Sequence, residues 1–316
     1  MTELLFPPGL LLVFGALLMP LGVSVRNALI FILPVICLVL IWSAPADYVV
    51  TLPFLGFELE PIKVTTTGRL FATVFSLMAL VGGIFAYRQA NTLELSAAFV
   101  YAGSAIGVTL SGDLITLFVF WEIMAIGSTL VIWAAQHEAA YRASFRYLMI
   151  HLLGGLLLMA GIAGHVVETG SIRFEALSLE SISQYLILAG FLINAGAPPL
   201  SAWIADAYPE ASPSGSVFLS AFTTKTAVFT LLVAFPGTWL LIPIGIYMIF
   251  YGIIYALLEN DMRRILAYSI INQVGFMVTG IGLGTEMALN GAAAHAFAHI
   301  IYKALLLMSA GAVPVS

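Results

Sequence analysis

Long runs of apolar residues, separated by short breaks that hold charges, glycine or proline, extend over almost the whole sequence. A helix needs about 20 apolar residues to cross a bilayer, and most of these runs reach that length. The runs predict helices near 4–24, 28–47, 68–87, 94–111, 114–135, 145–166, 185–199, 215–235, 239–258, 265–284 and 287–312. The pattern therefore predicts an all-α fold, a polytopic transmembrane helical bundle of about 11 spans.

The seventh run is interrupted after a short apolar stretch, where Asn194, Pro198 and Pro199 follow closely. Proline has no backbone N–H and ends a helix. Broken backbone at membrane depth is tolerated where it is buried in protein or lines a wet cavity, and interrupted helices often mark transport sites. We predict a broken seventh helix that lines a cavity, with Trp203–Tyr208 as an amphipathic continuation at the interface. A simple kink is the alternative.

A short internal repeat relates two of the predicted spans. The segment Leu156–Gly161 recurs at Leu305–Gly311, and a histidine precedes each copy. The copies lie in the sixth and eleventh spans, so the second copy runs inverted relative to the first. Inverted repeats are typical of transporters. We predict N-terminal spans over 1–92, a first five-helix repeat over 93–236 and an incomplete second, inverted repeat over 237–316.

Composition supports the membrane interpretation. Hydrophobic residues make up 61% of the 316 residues and charged residues 9%, and the mean hydropathy is +1.07. Soluble domains are about half apolar and a quarter charged, so a water-soluble fold is excluded. The net charge of −5 is spread thinly over loops, which makes nucleic acid a poor partner. Cys37 is the only cysteine, which excludes an internal disulfide and a cysteine-ligated cluster carried by this chain alone, and we predict no cofactor.

Charges differ between alternate loops. If the N-terminus is outside, most basic residues fall on cytoplasmic connections, as the positive-inside rule requires, and acids gather outside. The predicted cytoplasmic set is Arg26, Arg88, Arg142, Arg146, Arg263 and Arg264, and the predicted outer set is Asp47, Glu58, Glu60, Glu168, Glu175 and Glu180. Lys63, Arg69 and Arg173 depart from this pattern, but each shares its loop with more acids than bases.

Two charged residues lie near the middle of predicted spans. An ion near the bilayer centre costs at least ~2.5–3.5 kcal/mol on insertion scales, so such a residue is a functional candidate. Glu122 lies in the fifth span among apolar neighbours, and Lys225 lies in the eighth. The hydroxyls of Thr223, Thr224 and Thr226 are placed to hydrate Lys225 or to relay protons to it. The acid and the amine can exist as an ion pair or as two neutral groups, so they suit proton transfer. A permanent pair that only fixes helix packing is the alternative.

Three further ionisable residues share one face of the eleventh span, because His295, His299 and Lys303 recur at intervals of four. Histidine has the unperturbed pKa closest to neutral pH. We therefore predict a proton relay from Glu122 to Lys225 and on to this face.

The histidines have other possible roles. The His-x-x-x-His spacing is compatible with a transition metal, but no carboxylate or cysteine is nearby, and we predict no metal site. His151 lies in a leucine- and glycine-rich stretch and His165 lies near a span end, so we interpret both as packing residues.

Five ordered motifs resemble the proton-conducting antiporter-like family. That family includes the D-type membrane subunits of multisubunit Mrp-type Na+/H+ antiporters and the pumping membrane subunits of respiratory complex I. The motifs are Phe120–Glu122, Trp203–Tyr208, Leu219–Thr226, Asp261–Ser269 and His299–Leu306. The resemblance runs from about the third span to the end of the sequence, and Leu219–Thr226 favours the Mrp D-type branch.

By that resemblance, Glu122 would be the family's essential fifth-span glutamate and Lys225 its eighth-span lysine. His299 and Lys303 would belong to the polar axis that joins two half-channels. The family usually has a lysine in the broken helix where this chain has Asn194, so the usual glutamate–lysine partnership would be lost or transferred to Lys225. Family members also continue for several more spans, so an exit pathway would come from another polypeptide or from a longer chain.

The resemblance implies a proton-conducting subunit of a multisubunit monovalent cation (Na+)/H+ antiporter, which is a transporter subunit rather than an enzyme. Its expected location is the bacterial plasma membrane as a multi-pass protein. Its expected partners are other membrane subunits of a hetero-oligomeric complex, protons and monovalent cations, and the lipid bilayer. The first alternative is a proton-pumping membrane subunit of a complex I-like redox complex. The second, suggested by Asn194, is a degenerate scaffold subunit.

Overall fold

Helices dominate the computed structural model, which describes residues 6–312. The helices are α1 Pro8–Leu18, α2 Val23–Ser43, α3 Thr66–Ala86, α4 Thr92–Leu110, α5 Leu114–Trp133, α6 Glu138–Thr169, α7 Ile182–Ala195, α8 Trp203–Ala207, α9 Pro213–Ala221, α10 Thr223–Ala234, α11 Leu241–Leu258, α12 Met262–Leu283 and α13 Glu286–Gly311. Two 3-10 turns, Met19–Leu21 and Tyr208–Glu210, follow α1 and α8. The predicted span over 4–24 begins outside the described residues.

The helices reproduce the predicted spans closely. Within residues 6–312, nine helical segments are long and apolar enough to cross a membrane, and α9 and α10 together form one of them, Pro213–Ala234. Two shorter apolar helices, Pro8–Leu21 and Ile182–Ala195, correspond to the first and seventh predicted spans. The fold class is confirmed, and the chain is a multi-pass membrane protein. The division into 1–92, 93–236 and 237–316 stays a prediction.

The helices at the centre of the bundle carry the candidate residues. In the most apolar 18-residue stretch of each segment, 83% of the residues are buried in α4 and 89% in α9–α10, against 28% in α2 and 22% in α11. Helices α2 and α11 therefore present most of their apolar surface to the surroundings, as lipid-facing helices do. A charged residue on α10 lies deep in protein.

A β-hairpin between α2 and α3 was not predicted. Strand β1, Val49–Phe54, pairs antiparallel with β2, Phe57–Lys63. Leu55 and Gly56 connect the strands with φ of 49° and 85°, the left-handed conformations that a tight hairpin turn requires. The Asp113 carboxylate accepts the Glu60 N–H at 2.8 Å, so the hairpin is attached to the start of α5.

Arginines of the predicted cytoplasmic set bind at one end of the bundle. Arg146 forms a bidentate pair with Asp206, at 2.7 and 2.8 Å. Arg263 donates to the Ser216 hydroxyl at 2.5 Å. The hairpin, Asp113 and the loop after α6 lie together at the opposite end, where Asp113 and Arg173 form an isolated β-bridge. The structure therefore places these two arginines and the hairpin at opposite ends of the bundle, and which end faces the cytoplasm stays a prediction.

Candidate functional site

The break in the seventh span is present and leaves a buried helix end. Helix α7 ends at Ala195, and Gly196 takes a left-handed φ of 79° that L side chains rarely adopt. The Trp203 indole N–H donates to the carbonyl of Ile193 at 3.0 Å, so the segment after the break is bonded to the end of α7. Pro198 is half-buried and Pro199 is exposed.

The prediction that Trp203–Tyr208 is amphipathic is wrong, whereas its place at the membrane interface stays a prediction. Four of the five residues of α8 are buried, and Tyr208 after it is also buried. Asp206 is the one residue of this segment that is partly exposed. Its carboxylate binds Arg146 at the end of the bundle. The aromatic residues of this segment fill the core beside the break.

A second break, which the sequence did not predict, divides the eighth span. Phe222 has φ −106° and ψ −69°, and it separates α9 from α10. The Tyr101 hydroxyl on α4 accepts the Thr223 N–H at 2.8 Å and lies 2.5 Å from the Thr223 hydroxyl. A side chain from another helix thus provides the acceptor that the broken backbone lacks.

Lys225 lies directly after this second break and is fully buried. Its amine donates to the Ser220 carbonyl at 2.7 Å and to the Thr224 hydroxyl at 3.0 Å. Ser220 belongs to the last turn of α9, where unpaired carbonyls and the negative end of the helix dipole favour a cation. The lysine therefore caps α9 from within the bundle.

Glu122 has a different environment. It is half-buried on α5, and its carboxylate packs against Gly155 of α6, in space that a Cβ atom at residue 155 would take. Oε1 is buried and has no hydrogen-bond partner among residues 6–312. Within those residues no basic side chain lies within 4 Å of this carboxylate. The structure therefore does not form a direct Glu122–Lys225 ion pair.

Polar side chains nevertheless connect α4, α5, α6 and α10 near these two residues. The Tyr147 hydroxyl on α6 donates to Ser128 on α5 at 3.0 Å and lies 3.2 Å from the Thr223 hydroxyl. Thr223 also contacts Tyr101, so the hydroxyl groups form a continuous network that ends two residues before Lys225. Chains of hydroxyls can pass protons when water completes them.

The predicted polar face of the last helix packs against α12. His295 lies 2.9 Å from the Gln273 Oε1 atom, and the Lys303 amine donates to the Ser269 hydroxyl at 2.8 Å. His299 is fully buried between these contacts, and both ring nitrogens lack a partner among the described residues. The three residues are thus brought together on one face as predicted.

Three other predicted positions differ in their bonding. The Thr224 hydroxyl accepts from Lys225, whereas the Thr226 hydroxyl is buried without a partner within residues 6–312. Asn194 is fully buried, and in the same described part of the chain neither its amide nitrogen nor its amide oxygen has a partner. Its Oδ1 lies beside Gly154, the neighbour of the glycine that contacts Glu122.

Several residues of the site do not stand out in the sequence. Tyr101 and Tyr147 look like ordinary buried aromatic residues in their spans, since only tertiary contacts reveal their hydrogen bonds. Ser269 and Gln273 are spaced by four, so they lie on one face of an apolar helix, a signal that was available. Glu94 was also missed: it is 2% exposed and accepts hydrogen bonds from Ser212 and Ser214 at the start of α9.

Similar proteins share this sequence and architecture. The family described as NADH:quinone oxidoreductase/Mrp antiporter, TM, matches residues 111–315. The D component of the Na+/H+ antiporter of Alkalihalophilus pseudofirmus is 29% identical over 293 residues, covering 83% of this chain and 59% of that protein. The M component of the NADH-quinone oxidoreductase of Pseudomonas aeruginosa is 29% identical over 241 residues, covering 66% and 47%.

A solved structure has the same fold over almost the whole chain. The Mrp complex from Dietzia sp. DQ12-45-1b contains a chain that superposes with a TM-score of 0.88 and 25% identity, covering 96% of this chain and 37% of that one. The chain spans about half the length of the two curated relatives, 59% and 47%.

Proposed function

This chain belongs to the NADH:quinone oxidoreductase/Mrp antiporter family of transmembrane subunits, and on that premise we propose that it conducts protons in a multisubunit monovalent cation/proton antiporter. The other membrane subunits of a hetero-oligomeric complex are its partners, and Na+ is the favoured counter-ion. The location is the bacterial plasma membrane. The names of similar proteins support this choice, since the D component of an Na+/H+ antiporter aligns with 83% of the chain.

The burial and bonding of Lys225 support the proposal most strongly. An amine at the centre of a bundle is costly, and mutual hydrogen bonds lower but do not remove that cost. Lys225 is fully buried, yet it is bonded only to the Ser220 carbonyl and the Thr224 hydroxyl, with no carboxylate within 4 Å in the described residues. Such a lysine can release its proton without breaking an ion pair.

The proposed relay runs from Glu122 across the tyrosine and threonine hydroxyls to Lys225, and then to the His299 and Lys303 face. Lys225 lies on α10 and Lys303 on α13, and these two helices pack against each other, so the two amines would repel each other when both are charged. A proton that arrives at one amine therefore favours release from the other. Because the repulsion is mutual, it favours proton transfer between α10 and α13 in either direction.

The proposal is tested on the assembled complex in inverted membrane vesicles, where a dye reports proton movement when Na+ or K+ is added. Glu122→Gln and Lys225→Ala are each expected to reduce the flux by at least about tenfold, because each removes a proton-carrying group. Glu259→Gln and Lys63→Ala are the matched controls: both residues lie at the ends of the bundle, where they form long surface ion pairs of 3.7 Å. Unchanged flux in both relay variants would favour the scaffold alternative.

A second candidate function is a proton-pumping membrane subunit of a complex I-like redox complex. The similarity to the M component of an NADH-quinone oxidoreductase favours it. The same vesicles separate the two functions: NADH-driven proton uptake that does not respond to Na+ or K+ supports the redox complex, and cation-driven exchange without NADH supports the antiporter.

A further inference from the structure

We infer that His151, which the sequence pattern assigns to packing, is a proton station between Glu122 and the hydroxyl network of Lys225. The inference rests on the proposed proton conduction and adds a residue to it. Four observations carry it: the tautomer of the imidazole, its place on α6, its contact with the first break, and the unpaired Asn194 amide beside Gly154 of the same helix.

The hydrogen bonding of the imidazole defines a free proton acceptor. His151 is 1% exposed, and its Nδ1 lies 2.9 Å from the carbonyl oxygen of Tyr147. A carbonyl oxygen only accepts, so Nδ1 carries the hydrogen and Nε2 carries a lone pair. Nε2 is buried and has no hydrogen-bond partner among residues 6–312. A neutral imidazole therefore points an unused acceptor into the bundle.

The position of His151 on α6 lies between the two halves of the relay. Tyr147, His151 and Gly155 recur at intervals of four, so they share one face of the helix, each about 6 Å further along it. Gly155 packs against the Glu122 carboxylate, and the Tyr147 hydroxyl contacts Thr223. The imidazole thus occupies the middle position between the acid and the network that leads to Lys225.

The first helix break is in contact with the same histidine. The rings of His151 and Trp203 meet edge to face with centroids 4.6 Å apart, and His151 stacks on Tyr147 at 3.8 Å. Trp203 also donates to Ile193, the residue before Asn194. One tryptophan therefore packs on the imidazole and holds the helix end that carries the unpaired amide.

Buried polar groups without a hydrogen-bond partner destabilise a fold, which argues against a packing role alone for His151. A buried donor or acceptor left without a partner loses its hydrogen bonds to water and gains none from the protein. Both amide atoms of Asn194, Nε2 of His151 and Oε1 of Glu122 have this status in the described part of the chain. Their concentration around one stretch of α6, 151–155, indicates a place that takes up water and protons.

The proposed step moves one proton from Glu122 to His151 and then toward Lys225. A proton leaves the Glu122 carboxyl, passes over a bridging water and forms the Nε2–H bond of His151, which leaves a carboxylate and an imidazolium. The same N–H bond then breaks as the proton moves through the hydroxyl network toward the Lys225 amine. At the water and at each hydroxyl along the way one O–H bond forms as another breaks, and the neutral Lys225 amine gains the proton and becomes an ammonium. The charge on Glu122 offsets the charge on the imidazolium while the imidazolium exists.

The first test uses His151→Gln in the assembled complex in inverted vesicles. We expect at least about a tenfold loss of cation-driven proton flux, because glutamine cannot accept a proton. His165→Gln is the matched control, since His165 is also buried on α6 but lies near the helix end beside Thr169. It is expected to stay within about twofold of wild type. Blue-native gels confirm equal assembly of both variants.

The second test asks for rescue, which a packing residue would not show. His151→Lys keeps a titratable group at the same position, and Asn194→Lys in the His151→Gln background supplies one from the broken helix. Each is expected to recover at least about a third of the wild-type flux. Two results would overturn the inference: His151→Gln within about twofold of wild type, or neither lysine variant exceeding His151→Gln although both assemble.

The failure of the inference and the failure of the proposed function look different. If Glu122→Gln loses the flux while His151→Gln keeps it, only the role of His151 is wrong. If the wild-type complex moves no protons, or Glu122→Gln and Lys225→Ala leave the flux unchanged, the proposed function is wrong and His151 has no relay to serve.

Discussion

The two breaks in the centre of the bundle are built in opposite ways. The first, between α7 and α8, spans residues 196–202, and the side chain of Asn194 next to it has no partner within residues 6–312. The second, at Phe222, is a single residue long, and side chains satisfy the exposed backbone on both sides of it: Tyr101 accepts from Thr223, and Lys225 donates to Ser220.

The difference shows which groups are available for exchange. At the second break Lys225, which we propose as a relay residue, also caps α9, so its amine is held in place by two hydrogen bonds. At the first break the Asn194 amide has no protein partner among the described residues, so water would have to supply its hydrogen bonds. We interpret the second break as the place that fixes the Lys225 amine and the first as the place that admits water.

Among variants at the two breaks, Tyr101→Phe at the second break is expected to lower the free energy of unfolding most. The change removes the acceptor of the Thr223 N–H and leaves that buried group unpaired, which costs about 1–3 kcal/mol. Thermal unfolding of the detergent-solubilised complex is expected to begin at a lower temperature, and proton flux to fall with it.

Tyr185→Phe is the control for that variant. Tyr185 is 46% exposed on α7, and surface changes of this kind usually fall within about 0.5 kcal/mol. Equal melting of the two variants would contradict the view that Tyr101 closes the second break.

A smaller effect, and of the opposite sign, is expected for Asn194→Leu at the first break. The replacement has a similar size and removes two polar atoms that lack partners in the described part of the chain, so stability is expected to stay the same or rise by up to about 1 kcal/mol. The same melting assay measures it, beside Asn272→Leu, whose amide donates to Ile249 at 2.9 Å and whose loss is expected to destabilise. Strong destabilisation by Asn194→Leu would mean that the amide is bonded after all.

The sequence predicted the first break but not the second, and the reason is physical. Gly196, Pro198 and Pro199 interrupt a helix through their own backbone chemistry, so the signal is local. Around Phe222 neither glycine nor proline is present, and the break is held by a tyrosine 122 residues away from Thr223. Tertiary hydrogen bonds of that kind leave no local pattern.

Sequence patterns predicted helix positions more completely than side-chain roles. Hydrophobic runs placed the spans because the bilayer imposes their length, and the cost of buried charge singled out Glu122 and Lys225. His151 was different, since a histidine in a leucine-rich stretch has the same local sequence whether it packs or relays. Only the contacts of its two nitrogens separate the two roles.

The central claim is that Glu122 and Lys225 act in series on one proton path, and a double-mutant cycle tests it most directly. Cation-driven proton flux is measured in inverted vesicles for wild type, Glu122→Gln, Lys225→Ala and the double variant, at equal assembly. The account predicts that the double variant loses no more flux than the more impaired single variant, because a path cut once is already closed. Losses that multiply in the double variant would contradict it and would show two independent routes.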